Sequence, residues 1–249
     1  MPATIRGKAP EDFVLGADGC RAGWVVVRLA LRDNAVAADT APDFATVLQR
    51  AQKARMLMAD MPIGLADEGP RACEREARAL LKPLRHASVF SSPRRPMLDF
   101  ATYAEANAWG KARQLAASGA ERGGGLSKQA WMITPKIREV DAAISPRDQA
   151  RLGEAHPEVA FWRLNGEQPC RFSKRTREGQ DERKALLKRT GVDPERLLDR
   201  IRDMSGAGVD DVLDACAIAL TAKARLTGEA VRLGDGARDR RGLLMEIWG

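Results

Sequence analysis

Apolar residues recur along this chain in two rhythms, and each change of rhythm marks an element. FVLGAD at 13–18 is a short apolar run and predicts a buried strand. AGWVVVRLAL at 22–31 is longer and β-branched and predicts a second strand. A turn signal, Arg32-Asp33-Asn34, precedes AVAAD, a third strand, so the chain opens with a three-strand antiparallel meander. From Pro42, PDFATVLQRAQK places Phe44, Val47, Leu48 and Ala51 on one helical face. RMLMAD at 55–60 is again a strand. Strand, helix and strand in succession imply a right-handed crossover and parallel pairing. MPIGL then leaves the strand as a loop.

The middle of the chain changes to helical spacing. Helices are expected at 70–82, 100–118 and 127–143, with a glycine break at Gly123-Gly124-Gly125. Residues from about 68 to 150 read as a helical insertion packed over one face of the core. RLGEAH at 151–156 is a weak fifth strand, followed by a helix opened by Pro157. Further helices are expected at 181–190, at 194–204 and from Val209 to Leu226. MEIWG reads as an exposed edge strand, open to pairing with a second copy in a homodimer. There is no internal repeat, so 1–249 is expected to be one α/β domain, with 1–12 a flexible leader.

Composition narrows the function classes. A chain of 249 residues with 44% apolar content can bury one substantial core. No apolar run reaches the ~18 residues of a membrane span. MPATIRGKAPEDF lacks the apolar centre of a signal peptide, which points to the cytoplasm. Cys20, Cys73, Cys170 and Cys216 lie far apart and read as small buried residues. With only His86 and His156, a histidine-based triad or metal site has little material. The formal charge of +7 agrees with a polyanionic partner such as nucleic acid, although an arginine-rich source genome gives the same excess. Basic residues cluster at Lys82/Arg85/Arg94/Arg95, at Lys174/Arg175/Arg177 and at Arg238/Arg240/Arg241, and each cluster reads equally well as a solvated face. Five Trp, one Tyr and six Phe are scattered, so no base-stacking platform is evident.

Some carboxylates sit where burial makes them costly. Asp18 and Asp60 each end an apolar strand, and Asp210, Asp211 and Asp214 open the otherwise apolar helix VLDACAIALTA. If the first and fourth strands are adjacent and parallel, Asp18 and Asp60 lie at neighbouring carboxyl ends, where ligand sites of open α/β sheets gather. Asp211 and Asp214, and likewise Asp210 and Asp214, share a helix face. Carboxylates brought that close repel unless a cation lies among them, and magnesium prefers such oxygen ligands. Each also has an ordinary explanation: Asp18-Gly19 as turn chemistry, Asp60 as a loop cap, Asp210 and Asp211 as residues favoured at a helix start. Asp214, a turn into the helix, is the hardest to explain that way.

GADGCRAGWVVV, ADMPIGL, SVFSSPRRP, LSKQAWMITPKIREVD, EAHPEVAFWRLNG and DDVLDACAIALTA together resemble, in order and over about residues 14–248, the family known as domain of unknown function 429. Its members are described as predicted nucleases with a ribonuclease H-like fold. The resemblance implies a mixed five-stranded sheet, an antiparallel meander plus parallel strands, flanked by helices and carrying a helical insertion. By analogy with ribonuclease H-like nucleases and resolvases it implies metal ligands at Asp18, at Asp60, where resolvases commonly have Glu, and at Asp211 with Asp214. Glu154 and Glu158 of EAHPE are implied to complete the site or brace a loop. Gln129, Lys136, Arg138, Glu139 and Asp141 read as a substrate-facing segment that grips a phosphate or, alternatively, as a surface ion-pair ladder. Gln129 and Lys136 would share a helix face, interrupted near Pro135. Ser88, Ser91 and Ser92 before Pro93-Arg94-Arg95 would contact a phosphate or form a turn. His156 would order the site or assist proton transfer. Cys20, with no base evident beside it, reads as packing.

The expectation is therefore a metal-dependent nuclease. Two Mg²⁺ or Mn²⁺ ions roughly 4 Å apart would bridge the scissile phosphate, held by Asp18, Asp60, Asp211 and Asp214. Two rivals stand beside it. A non-catalytic nucleic-acid or protein binding module would keep its binding when metal is removed. A phosphotransferase of the actin and sugar-kinase type shares an Asp-Gly turn in its first phosphate loop, but LGDG at 233–236 is a poor second loop, and nucleotide binding would reveal it.

Overall fold

In the computed structural model, residues 12–116, 125–201 and 206–249 are described. The expected leader, apart from Asp12, and Gly123-Gly124 of the glycine break lie outside them, as do the ends expected for two helices, 117–118 and 202–204. The β-branched opening segments form β1 (Phe13–Cys20), β2 (Gly23–Ala30) and β3 (Val36–Ala41), paired antiparallel. β4 (Leu57–Asp60) then pairs parallel to β1, and β5 (Leu152–Glu154) parallel to β4. The order β3-β2-β1-β4-β5 is the mixed five-stranded α/β sheet that was expected.

Alternation along the strands separates two cores. Val14 of β1, Val25 and Val27 of β2 and Met58 of β4 face α9 (Val209–Thr227), with α6 (Pro157–Leu164), α7 (Arg177–Arg189) and α8 (Glu195–Ile201) completing that side. Leu15, Ala17, Trp24, Leu57 and Ala59 face α1 (Phe44–Ala51) and α5 (Thr134–Ala143) on the other. Asp43 caps α1, accepting the Thr46 N–H at 2.8 Å. α9 presents small residues to the sheet, and Gly16 of β1 lets it approach: a Cβ at Gly16 would run into the backbone of Ala215 and Ala219.

The structure departs from the expected elements in three places. The helix expected at 127–143 is two, α4 (Lys128–Met132) and α5, because Pro135 fits only a first turn and so starts a new helix. α7 begins four residues before the expected Asp181, where Thr176 accepts the Gly179 N–H at 3.1 Å as its cap. The segment MEIWG is not an exposed edge. β7 (Ile247–Trp248) pairs with β6 (Arg232–Leu233) in a separate two-stranded sheet, Trp248 bridges to Ala155, and Ile247 is buried. The polar turn of LGDG hid this hairpin-like return from the sequence pattern. Of the remaining helices between β4 and β5, α2 (Ala72–Leu80) packs with β6 and β7, and α3 (Tyr103–Ala116) and α4 build a small cluster of their own around Met97 and Ala106. All four cysteines are buried free thiols. No described helix is long and apolar enough to cross a membrane.

Candidate functional site

Two strand ends and one helix start converge at a single corner of the sheet. Residues two apart share a face, so Asp18 follows Val14 and Gly16 onto the α9 side, and Asp60 follows Met58. In the parallel register Asp18 lies directly opposite Asp60. The close approach at Gly16 sets the first turns of α9 over this pair and delivers Asp214. Asp211, one turn earlier, accepts the Gly208 N–H at 2.8 Å and so also closes the helix start. A cavity of about 660 Å³ opens here, lined by Asp18, Asp60 and Asp211, by Lys136, Lys174 and Gln129, and by an apolar wall that includes Phe90 and Met132.

The charges are strongly coupled. Burial, then repulsion from Asp60 and Asp214, holds the Asp18 carboxyl well above the usual carboxylate range. Burial raises Asp60 to about 7, against the attraction of Lys174 and with repulsion from Asp214 and Glu154. Burial likewise raises Asp214, opposed by Lys174 and Arg183. Lys174 Nζ lies 2.5 Å from Asp214 Oδ2. Burial alone would lower the Lys174 ammonium, but Asp214, Asp18 and Asp60 outweigh it and hold it above the ordinary lysine range.

The other residues singled out in the sequence divide. Lys136 and Gln129 line the cavity. Lys136 also donates to the Gly23 carbonyl at 2.6 Å and lies over the Trp24 ring. Arg138 turns away and donates to the Leu98 carbonyl. Arg95 is buried between Asp141 and Asp239. Arg94 is buried against Trp109. Glu139 accepts from Trp24 Nε1 and the Phe44 N–H. Glu154 gives both oxygens to Arg71, at 2.6 and 2.8 Å, and accepts the Ile63 N–H at 2.7 Å, so it braces the MPIGL loop behind Asp60. Glu158 pairs with the buried Arg183 at 2.7 Å. Ser91 and Ser92 are tied to α2 through Arg78 and Glu74. His156 caps α6, its Nδ1 accepting the Glu158 N–H at 3.2 Å. Cys20 lines the cavity with a thiol that burial pushes up, which suits packing rather than nucleophilic attack.

Lys174 is the site residue that sequence reasoning missed. It was visible only as one of a basic cluster, and nothing in its spacing showed which member turns inward. Arg71 and Arg183 were hidden for the same reason: each lies in a polar stretch that reads as surface.

A divalent cation is the natural complement to this set, and two observations bear on the fit. Among the described residues, no three His, Cys, Asp or Glu side chains form a group that could hold a metal. Magnesium, however, is commonly held by one or two carboxylates while water and substrate phosphate complete its shell. The Asp18–Asp60 pair meets that requirement, and Asp214 Oδ1 is buried with no hydrogen-bond partner. The donor chemistry therefore fits. A family model described as "Protein of unknown function (DUF429)" matches residues 16–238. No curated protein and no solved structure matches the chain.

Proposed function

This chain belongs to the DUF429 family, and from that premise and the site we propose that it is a metal-dependent hydrolase of phosphodiester bonds in nucleic acid, a ribonuclease H-like nuclease acting in the cytoplasm. One observation carries the reading: Asp18 and Asp60 lie opposite each other on parallel strands and line a cavity to which α9 adds Asp211. Carboxylates this close either hold protons or hold a cation. Asp18 and Asp60 would hold Mg²⁺ or Mn²⁺, with Asp211 and Asp214 beside them. Such an ion supplies Lewis-acid polarisation of a phosphoryl oxygen and acidifies water.

The chain's own residues do the rest. Lys136 and Gln129, on one wall, are placed to orient a phosphate by charge and hydrogen bonding. Phe90 and the exposed Met132 give the cavity an apolar rim on one side. Hydrolysis adds water to phosphorus, breaks the bond to the leaving oxygen and gives that oxygen a proton. Glu154 takes no direct part in this scheme; with Arg71 it fixes the loop that follows Asp60.

The test is a calorimetric titration of Mg²⁺ and Mn²⁺ into the native protein and Asp18→Asn, followed by cleavage assays on single- and double-stranded DNA and RNA. The expected result is cation binding and cleavage by the native chain, with both lost in the variant. Cleavage that persists in Asp18→Asn and in Asp214→Asn would overturn the mechanism. The pairing of Lys174 with Asp214 favours one other reading, a non-catalytic nucleic-acid or protein binding module with self-compensated carboxylates. Nucleic-acid binding that survives chelation, without cleavage under any condition, would select it.

A further inference from the structure

The Lys174 ammonium is the cation that sits against the α9 side of the carboxylate cluster. It contacts Asp214 Oδ2 at 2.5 Å, and Asp18 and Asp60 are its next strongest charged neighbours. Asp214 is 1% exposed, and its second oxygen has no partner.

The segment carrying Lys174 is built rather than loose. The Arg171 and Phe172 N–H groups donate to the two carboxylate oxygens of Glu182 at 2.8 and 3.0 Å. The buried Arg183 donates to the Phe172 carbonyl at 3.1 Å. Thr176 closes the turn onto the Ser173 carbonyl at 3.0 Å. Gly179 lets α7 lie directly on that carbonyl, since a Cβ at Gly179 would collide with Ser173. Four separate contacts thus fix the backbone from which Lys174 reaches the carboxylates. A lysine that merely solvated a surface would need none of them.

We infer that the site takes a single divalent cation, at the Asp18–Asp60 end, and that the Lys174 ammonium fills at Asp214 the place a second cation would otherwise hold. This rests on the metal-dependent reading above. It makes Lys174 a positioning residue: its fixed charge orders Asp214 and confines the exchangeable cation to the strand ends.

Manganese alone is the probe, counted by calorimetry and characterised by electron paramagnetic resonance. The native protein is expected to bind one Mn²⁺ with the signal of an isolated ion. Lys174→Met is expected to bind two and to show an exchange-coupled pair, and Asp214→Asn added to it should return the count to one. Lys174→Gln gives the same comparison if the Met variant does not fold, and a circular-dichroism melt establishes which variants are folded. Two ions in the native protein would overturn this inference and leave the hydrolase reading intact. One ion in both the native protein and the Lys174 variants would overturn it as well, since Lys174 would then displace nothing. No binding by the native protein would overturn the metal-dependent reading and this inference with it.

Discussion

Asp18 is costly to the fold: it is 6% exposed and flanked by Asp60 and Asp214. Asp18→Asn removes a buried ionisable group but leaves its shape. The metal-free protein should therefore melt higher, by about 1 kcal/mol of stability, while cation binding is lost, a trade typical of functional carboxylates. A thermal melt with chelator checks the first half, and a lower melting temperature would show that Asp18 is a structural acceptor. His156 gives a prediction about pH. Burial, with Lys174 adding, lowers it from 6.5 to about 4, and its Nδ1 must stay unprotonated to accept the Glu158 N–H. A depressed folded-state value means that the neutral ring stabilises the fold fully above pH 6.5 and that this contribution is lost as pH falls toward 4. His156→Asn keeps a capping oxygen but does not titrate. The native protein's advantage over the variant should shrink by about 3 kcal/mol across that window in denaturant titrations. At this scale the sequence marked the acids well, because an aspartate at the end of an apolar strand is conspicuous. Their cations stayed hidden, because Arg71, Lys174 and Arg183 stand among polar neighbours and only burial distinguishes them.

Between elements, the contact that aims the site is α9 on β1. Gly16→Ala would press a methyl group into the backbone of Ala215 and Ala219, which cannot rotate away. The expected cost is about 3 kcal/mol, read as a lower urea midpoint, together with weakened Mn²⁺ binding as α9 lifts Asp214 from the strand ends. An unchanged midpoint would mean that the helix does not approach so closely. Continuous apolar runs revealed β1, β2, β4 and α9, which are buried on nearly every side, and the 3.6-residue spacing revealed α1, which buries one face. They missed the break at Pro135 and the start of α7 at Arg177 because those boundaries depend on a proline and a threonine cap inside charged stretches. The pairing of β7 with β6 was missed for another reason. Two-residue strands have no period to detect.

At the scale of the whole molecule, the basic residues behind the +7 charge divide, among the described residues, between the interior and the cavity. Arg71, Arg95 and Arg183 are interior partners of buried carboxylates, whereas Arg21, Lys136 and Lys174 line the cavity. Nucleic-acid affinity should fall linearly with the logarithm of salt concentration, and Arg21→Ala with Lys136→Ala should reduce the slope by about one to two. Fluorescence anisotropy over a salt series measures it, and an unchanged slope would place the phosphate path elsewhere. The sign of the charge was legible in the composition, but its distribution needed the fold. The α9 face of β1, β2 and β4 carries a timing consequence. Val14, Val25, Val27, Leu29 and Met58 are covered by a helix that begins only at Val209. On the ribosome the meander and β4 are therefore finished while their lid is still unmade, and the nascent chain carries an open apolar slab through most of its synthesis. A chaperone that masks such a slab therefore has a long interval in which to act.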